Sequence, residues 1–258
     1  MARGSLTVVG TGIAVGVHLT AQARDAIERA DSFLHLAADP IAVEWLGGLR
    51  PGAVDLREHY RAGLPRDEIY EAITETILAP VREGRSVCAA FYGHPGVYVR
   101  PSHEAVRRAR SEGFEARMLP AVSAEDCLFA DLGVDPADAG CLSYDATDFL
   151  LHRRPIDPSA ALVLWQITVI GDGTAVSSAR MDTVPILVER LLEHYPNDHE
   201  VVVYEASPYP VGGPVADRVR LAALAAADLT PLSTLYVPPA APPSVDAEMA
   251  VRLGLATH

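Results

Sequence analysis

Short apolar runs alternate with amphipathic stretches along the first half of the chain. Runs typical of buried strands lie at 5–9, 32–36, 53–56, 86–92 and 114–119. Between them, apolar residues recur at helical spacing at 20–30, 40–48, 64–81 and 102–113. This alternation of strands and helices predicts a mainly parallel sheet that is covered by helices.

The pattern changes after one more predicted helix, at 123–133, which Ser123 caps. Further strands are predicted at 161–169, 200–206 and 233–237, and helices at 145–152 and 183–194. The sequence therefore predicts a two-domain α/β protein, with a mainly parallel N-terminal sheet and a second, mixed α/β domain. We place the domains at residues 1–119 and 120–239, followed by a proline-rich exit and a short helical tail at 240–258.

The stretch FYGHPGVYV (91–99) ends the fourth predicted strand abruptly, with two glycines, a proline and a histidine. Ligands of open α/β folds bind beyond the carboxyl ends of the strands. We therefore expect Gly10–Gly12, His94–Val97 and Ser123 to face one cleft. Glycines at such a turn let the backbone approach a ligand closely, because glycine has no Cβ.

Composition narrows the choice of partners. The chain has 258 residues and a net charge of −13, so we expect neither nucleic acid nor anionic membrane as a partner. The longest apolar segment, at 160–171, is too short and too interrupted to span a bilayer. Cys88, Cys127 and Cys141 show neither metal-ligand spacing nor a disulfide framework. A reduced, cytoplasmic location and a site without metal are the resulting expectations.

Three motifs carry a resemblance to known methyltransferases. A strand followed by VGTG (9–12), the Gly-Pro turn after the fourth strand, and PAVSAED (120–126) together resemble the tetrapyrrole-methylase superfamily. Its members are two-domain α/β enzymes that hold S-adenosylmethionine in the interdomain cleft. Where typical members have GDP and PGVSS, this chain has GHPG and PAVSA.

These departures resemble a narrower family, the borosin peptide-backbone α-N-methyltransferases. The resemblance runs from Ser5 to about Pro239, and its motifs are YGHPGVY (92–98), MLPAVSAEDCLFADLGVDP (118–136), LWQ (164–166) and STLYVPP (233–239). In that family the methyl acceptor is a backbone amide nitrogen of a precursor peptide, which many fungal members carry fused to their own C-terminus. S-adenosylmethionine is the methyl donor and S-adenosylhomocysteine the product.

The resemblance also bears on partners. After Pro243 the chain continues only through SVDAEMAVRLGLATH, which is too short to hold both a clasp domain and a substrate tail. The resemblance therefore implies a split system, in which a separate precursor peptide is modified in trans. It further implies a homodimer that forms a heteromeric complex with the peptide.

Amide methylation makes particular demands on side chains. A peptide N–H is very weakly acidic and its lone pair is delocalised, so the enzyme must take up the proton and stabilise charge on the carbonyl oxygen. Tyr60, Arg66 and Tyr70 match by spacing and type the residues assigned to catalysis in borosin enzymes. Either tyrosine serves as base or proton shuttle, and Arg66 lowers the pKa of a phenol or holds the substrate carbonyl. The competing interpretation is an exposed helix start with an incidental Arg–Tyr contact.

One position departs from this pattern. Some family members carry a further tyrosine three residues before Tyr60, where this chain has Arg57. The change is expected to alter substrate contacts without removing the three catalytic residues.

The cofactor-binding residues are implied by the resemblance. Tyr92 would lie beside the transferring methyl group and is counted with the catalytic residues as well. The remaining cofactor contacts are Gly10, Gly12, His94, Val97, Tyr98, Ser123, Ala124, Gln166, Ala206, Ser233 and Thr234.

Each of these has a plainer alternative. His94 is otherwise a turn residue bonded to its own loop, and Tyr98 a core residue. Ser123 is otherwise an N-cap, and Gln166 a buried amide that satisfies backbone groups. Ser233 and Thr234 are otherwise ordinary surface residues at the end of a strand.

Two other functions remain open. One is a methyltransferase that acts on a tetrapyrrole, whose many carboxylates require a cleft rich in Arg and Lys. The other is a module that binds S-adenosylmethionine and a peptide without catalysis, since fold does not guarantee chemistry. The Gly/Ser-rich loop at 171–180 is interpreted as a lid near the cleft or as a simple connection.

Overall fold

A computed structural model of the chain describes residues 4–61, 63–174 and 179–255. The chain forms two compact units, each of which is described by itself. The first consists of Met1–Gly133 with the segments Asp172–Ser177 and Ala206–Val215, and the second of Val134–Gly171, Ser178–Glu205 and Ala216–His258. The grouping places the predicted helix at 123–133 with the first unit, whereas we assigned it to the second domain from the sequence.

The first unit is built on a five-stranded parallel sheet. Its strands are β1 (Ser5–Gly10), β2 (Ser32–Leu36), β3 (Val54–Asp55), β4 (Ser86–Phe91) and β5 (Glu115–Met118), in the order β3-β2-β4-β1-β5. Every neighbouring pair runs parallel, with Ser5 of β1 opposite Ser86 of β4. The predicted parallel sheet is confirmed.

Five α-helices connect these strands or follow them. They are α1 (Ala21–Arg29), α2 (Pro40–Leu49), α3 (Arg66–Arg82), α4 (Arg100–Ser111) and α5 (Ala124–Leu132), and a 3₁₀-helix spans Leu56–His59. Thr20 and Asp39 cap α1 and α2 through their side-chain oxygens, which accept backbone N–H groups that have no partner within the helix. Helix α4 begins two residues before its predicted start, because Pro101 fits the first turn.

Both faces of this sheet are buried, which explains why its strands are apolar throughout. On one face, Leu6, Val8 and Phe91 pack against α3 and α4. On the other face, Val9 and Ala90 pack against α1 and α2. Neighbouring residues of one strand thus serve opposite cores, as the alternation of side chains along a strand requires.

The second unit carries a mixed sheet. Its strands are β6 (Cys141–Asp145), β7 (Ala161–Trp165), β8 (Glu200–Glu205), β9 (Val215–Arg220) and β10 (Thr234–Val237), in the order β6-β7-β10-β8-β9. Strands β6 and β7 are parallel, whereas β10 is antiparallel to both of its neighbours. The helices are α6 (Pro136–Ala139), α7 (Ala146–Leu151), α8 (Val184–Leu192) and α9 (Ala247–Arg252).

The sequence prediction missed the two outer strands of this sheet and extended a third too far. Strand β6 is only half-buried and β9 is mostly exposed, so neither shows a continuous apolar run. Strand β7 ends at Trp165 instead of residue 169, because Gln166 adopts a left-handed backbone with a φ of 59°.

Within the described part of the chain, the structure contains no helix with the length and apolar character that a membrane span requires.

Candidate functional site

The carboxyl edge of the first sheet gathers most of the predicted site residues. Parallel strands end at the same edge, so the segments that leave them are neighbours. Gly10–Gly12 ends β1 and continues beyond it, Asp39 follows β2, Tyr60 follows β3, Tyr92 follows β4, and 120–124 follows β5.

The segments after β1, β4 and β5 pack tightly on one another. Gly12 and Gly93 exchange two backbone hydrogen bonds, of 3.2 and 3.1 Å. A Cβ on Gly10 would lie 2.2 Å from the Gly93 carbonyl oxygen and 2.6 Å from the Ala121 Cβ. Gly10–Gly12 and Gly93–Gly96, which we call the glycine turn, therefore come together as expected. Their close approach is between protein segments, which accounts for Gly10 without any ligand.

His94 is bonded within this turn. Its Nδ1 accepts a hydrogen bond of 2.9 Å from the Gly96 N–H, so the neutral ring carries its proton on Nε2. The His94 carbonyl accepts the Val97 N–H at 3.1 Å. From α4, Ser102 Oγ donates to the Pro95 carbonyl. The alternative interpretation of His94, a turn residue bonded to its own loop, is confirmed for Nδ1.

Three large side chains that flank Gly93–Gly96 in the sequence are partly exposed to solvent. Tyr92, Val97 and Tyr98 are 37%, 36% and 48% exposed. The interpretation of Tyr98 as a core residue is therefore wrong, and a left-handed backbone with a φ of 55° accompanies its outward position. Burial and, to a smaller extent, the nearby Cys127 and Asp39 together raise the pKa of Tyr92 to about 12.

Tyr60, Arg66 and Tyr70, which we call the tyrosine–arginine group, lie together at the start of α3. Tyr60 follows the 3₁₀-helix, Arg66 is the first residue of α3, and Tyr70 lies one turn further along. Both tyrosines are half-buried and pack against the core beneath α3. The interpretation of this segment as an exposed helix start is therefore wrong for both tyrosines.

The electrostatics of this group differ from the sequence expectation. Burial and the neighbouring Tyr70 raise the pKa of Tyr60, Arg66 lowers it by less, and the resulting pKa is about 12. We expected the guanidinium to bring the pKa of a phenol below its ordinary value. Desolvation outweighs it at Tyr60, so this phenol is neutral at physiological pH.

Arg66 is held by a segment that lies far away in the chain. Its backbone N–H donates to the Gly173 carbonyl at 2.9 Å, and its Nε donates to the Thr174 carbonyl at 3.3 Å. Pro65 and Thr174 form an isolated antiparallel bridge. These contacts fall in the first part of the loop that we interpreted as a lid or connection. Residues 175–178 of that loop lie outside the described residues.

The departure at Arg57 has a local partner. The Arg57 guanidinium donates to Asp55 through Nε at 2.9 Å and Nη2 at 2.7 Å. Such a two-pronged pair fixes the direction of the side chain. Arg57 is thus directed toward Asp55, and the expected change in substrate contacts stays a prediction.

Ser123 caps α5 in the way that the sequence predicts. Its Oγ accepts the Asp126 N–H at 3.1 Å, and its own N–H and hydroxyl donate to Asp126 Oδ2, both at 2.7 Å. This reciprocal arrangement is a capping box and accounts for Ser123 fully. Ala124 begins the helix behind it.

Sequence reasoning missed Asp39. Its Oδ1 accepts the Ala42 N–H at 2.9 Å, and its Oδ2 accepts the Tyr209 hydroxyl at 2.5 Å. Burial raises the pKa of Asp39, but these bonds and one from the Ile41 N–H outweigh it, so the pKa lies below its usual range. The Asp-Pro pair at the start of a predicted helix was the available signal.

The predicted residues of the second unit lie at one edge of its sheet. Gln166 follows β7, and Thr234 begins β10, which is antiparallel to β7 and β8. Ser233 and Thr234 are buried, so their interpretation as surface residues is wrong, and Ser233 Oγ donates to Glu205 Oε1 at 2.6 Å. Gln166 is half-buried, and both of its interpretations stay predictions. Ala206 directly follows β8 and belongs to the first unit.

Similar proteins fall into two groups. A methyltransferase/ribosomally synthesized cyclic peptide gymnopeptides precursor from Gymnopus fusipes is 42% identical over 242 residues, which cover 92% of this chain and 57% of that protein. The omphalotin A precursor of the same kind from Omphalotus olearius is 40% identical over 260 residues, which cover 98% and 62%. The chain thus spans about three fifths of the length of these curated relatives.

Among solved structures, the uroporphyrin-III-C-methyltransferase of Thermus thermophilus superposes with a TM-score of 0.66 over 99% of both chains, at 24% identity. A diphthine synthase superposes with a TM-score of 0.59 at 18% identity, over 90% of this chain and 89% of that one. At these identities the likeness establishes the fold alone. The family model of the tetrapyrrole (corrin/porphyrin) methylases matches residues 5–210, and the chain belongs to this family.

Proposed function

We propose that the protein transfers methyl groups from S-adenosylmethionine to backbone amide nitrogens of a ribosomally made peptide. The observation that carries the proposal is the tyrosine–arginine group, in which half-buried phenols and a guanidinium meet at the carboxyl edge of a methylase sheet. The names of the two fungal relatives, which combine a methyltransferase with a peptide precursor, support a peptide as the acceptor.

S-adenosylmethionine supplies an electrophilic methyl group when it is bound. The partly exposed rings of Tyr92 and Tyr98 suit a ligand that is partly aromatic and carries a positive sulfur. Ser123 does not suit the methionine carboxylate in this arrangement, because its N–H and hydroxyl both donate to the Asp126 carboxylate. The roles of Gly10, Gly12, His94, Ala124, Gln166, Ala206, Ser233 and Thr234 in cofactor binding stay predictions.

The tyrosine–arginine group meets the demands of the amide. Methylation would form an N–C bond while the methyl–sulfur bond of the donor breaks and S-adenosylhomocysteine leaves. It also requires the amide to give up its proton, while negative charge develops on the carbonyl oxygen. Tyr60, with a pKa of about 12, keeps its proton at neutral pH and so donates a hydrogen bond to that oxygen. Arg66 adds a fixed positive charge beside it. Tyr70 is then the candidate proton shuttle, whose oxygen takes up the amide proton as its own hydroxyl proton passes to water.

Charge near this group favours a peptide over a tetrapyrrole. A substrate with many carboxylates needs arginines that are not already neutralised. Arg57 is paired with Asp55, and Arg100 is paired with Asp67 at 2.5 Å. These two guanidinium groups therefore add little net positive charge around the tyrosines. A peptide backbone, which carries little charge, suits these surroundings better than a tetrapyrrole with many carboxylates.

The format of the substrate is part of the proposal. We propose a separate peptide that is modified in trans and a homodimeric enzyme, both of which rest on the resemblance to borosin enzymes. We also propose a cytoplasmic location, which rests on the cysteine pattern of the sequence. A peptide supplied as a separate chain tests the first of these directly.

The experiment combines the purified protein with S-adenosylmethionine and a short peptide encoded beside its gene. Tandem mass spectrometry then locates any added methyl groups. Increments on backbone nitrogens support the proposal. Transfer to a tetrapyrrole such as uroporphyrinogen, but not to the peptide, would establish the rival reaction. Peptide binding with no change in mass would establish a module without catalysis.

A further inference from the structure

We propose that Asp172 is a positioning residue for Arg66, and that it acts through the turn Asp172–Thr174. The inference rests on the proposed function in one respect, because it assumes that the direction of the Arg66 guanidinium matters for the reaction. The structural part of the inference, that Asp172 fixes Arg66, stands without that assumption and is tested separately.

The turn reaches Arg66 with two consecutive carbonyls. The Gly173 carbonyl accepts the backbone N–H of Arg66 at 2.9 Å, and the Thr174 carbonyl accepts its Nε at 3.3 Å. The first contact only completes the helix, because Pro65 precedes α3 without a side-chain cap and the first N–H groups of a helix need partners. The second contact is different, because a bond at Nε constrains the plane of the guanidinium.

Asp172 sets the shape of the turn. Its Oδ1 accepts both the Thr174 N–H at 2.8 Å and the Thr174 hydroxyl at 2.7 Å. An aspartate that binds the backbone two residues further on forms an Asx-turn, which restricts the intervening conformations. Two bonds into one oxygen fix the main chain and the side chain of Thr174 together. The Thr174 carbonyl that meets Arg66 belongs to this same residue.

Arg66 in turn acts on Tyr60. The guanidinium lowers the pKa of Tyr60 against the larger effect of burial. If the turn relaxes, Arg66 samples other rotamers and this influence weakens. The titration of Tyr60 is therefore a readout of the Arg66 position, and it needs neither cofactor nor peptide.

The first experiment compares Asp172→Ala with Asp172→Asn. Both variants remove the same negative charge, but only asparagine keeps an Oδ1 that accepts the two bonds from Thr174. A fluorinated tyrosine incorporated at position 60 has a more acidic phenol and reports its own protonation by ¹⁹F NMR. We expect the titration midpoint of the residue at position 60 to be higher in Asp172→Ala than in Asp172→Asn by roughly half a pH unit. Thr174→Val, which loses only the hydroxyl bond, should shift the midpoint upward less.

The chain offers a matched control. Asp157 Oδ1 accepts the Ser159 N–H at 2.9 Å and the Ser159 hydroxyl at 2.7 Å, so it forms the same kind of turn in the second unit. Asp157→Ala should leave the Tyr60 midpoint unchanged. Equal midpoints for Asp172→Ala and Asp172→Asn, with both proteins folded by circular dichroism, would overturn the inference. So would an equal shift in Asp157→Ala.

The second experiment asks whether positioning matters for turnover. In the wild-type background we expect Asp172→Ala to lower kcat roughly tenfold relative to Asp172→Asn with little change in KM. In an Arg66→Ala background the two should be equal, because Asp172 acts through Arg66. An Asp172 effect that persists without Arg66 contradicts the inference. If the wild-type protein methylates no peptide, the proposed function fails, whereas the ¹⁹F result still decides the structural claim.

Discussion

Two regions at the carboxyl edge of the first sheet were both predicted as parts of one site. In the glycine turn, the residue identities follow from the fold itself, since Gly10 has no room for a Cβ and His94 binds its own loop. In the tyrosine–arginine group they do not. Tyr60 and Tyr70 pack their rings partly against the apolar core, and phenylalanine at either position would make the same packing contacts.

This contrast shows which kind of residue is evidence for a chemical role. A glycine or a capping serine whose local role is complete gives no independent evidence of a ligand. The Tyr60 phenol, half-buried beside Tyr70 and Arg66, carries a cost in desolvation that the fold does not require. Substitutions should therefore separate the two regions, with effects on turnover in one and on stability in the other.

The largest effect is expected in the tyrosine–arginine group. Tyr70→Phe and Arg66→Ala should each lower kcat by about 10²- to 10³-fold, because they remove a proton shuttle and a charge that act in the transition state. Affinity for S-adenosylmethionine should change little. Turnover measured by mass spectrometry and affinity measured by calorimetry check both points.

A matched control is available for the tyrosine substitutions. Tyr195 is buried in the second unit, and its hydroxyl has no hydrogen-bond partner in the described structure. Tyr195→Phe should therefore keep full turnover. Unchanged rates in both Tyr70→Phe and Arg66→Ala would remove the catalytic assignment.

The next effect belongs to the glycine turn and concerns stability. Gly10→Ala places a Cβ 2.2 Å from the Gly93 carbonyl oxygen and 2.7 Å from the Pro95 Cδ, and a backbone oxygen cannot rotate away. We expect a loss of about 3 kcal/mol or more in the free energy of unfolding, measured by urea denaturation.

Gly213→Ala is the control for this substitution, because its Cβ would have no atom within 4 Å. It should stay within about 0.5 kcal/mol of the wild-type value. If Gly10→Ala were equally stable but lost cofactor affinity, Gly10 would serve the ligand instead of the packing of the turn.

The sequence predicted the first sheet well and the properties of the site less well. The alternation of strands and helices was sufficient to bring the segments after β1, β4 and β5 together. It was not sufficient to predict the pKa of Tyr60, because burial depends on packing around the ring.

The contact of Arg66 with Thr174 spans 108 positions in the chain, which no local pattern encodes. The sequence pattern also did not predict the half-buried strand β6 and the exposed strand β9, because neither has the apolar run of a buried strand.

A smaller effect is expected from the pH dependence of stability. The pKa of Tyr60 in the folded protein, about 12, lies above its ordinary value of about 10, so the unfolded chain loses this proton first. The contribution of Tyr60 to the free energy of unfolding is therefore fully present below about pH 10 and is lost as the pH rises toward 12. At pH 11 the free energy of unfolding should be lower by about 1 kcal/mol for this reason.

Urea denaturation at pH 9 and pH 11 checks this expectation. Tyr60→Phe should lose less stability than the wild type over that interval. The chain contains no lysine, so lysine titration does not obscure the comparison. Equal losses in the two proteins would show that Tyr60 titrates near its ordinary value and is less desolvated than its position indicates.

The smallest effect tests Ser123, where the local and the ligand-binding interpretations compete most directly. Ser123→Ala removes the Oγ that accepts the Asp126 N–H, but the backbone N–H at position 123 can still donate to Asp126 Oδ2. Because half of the capping box survives, we expect a loss of about 0.5–1 kcal/mol in the free energy of unfolding. Affinity for S-adenosylhomocysteine, measured by calorimetry, should stay within about twofold, since the lost hydroxyl donates to Asp126 in the folded protein. A tenfold weaker affinity, equivalent to about 1.4 kcal/mol, would mean that the hydroxyl turns toward the ligand when the ligand binds. Ser123 would then be a ligand-binding residue as well as a helix cap.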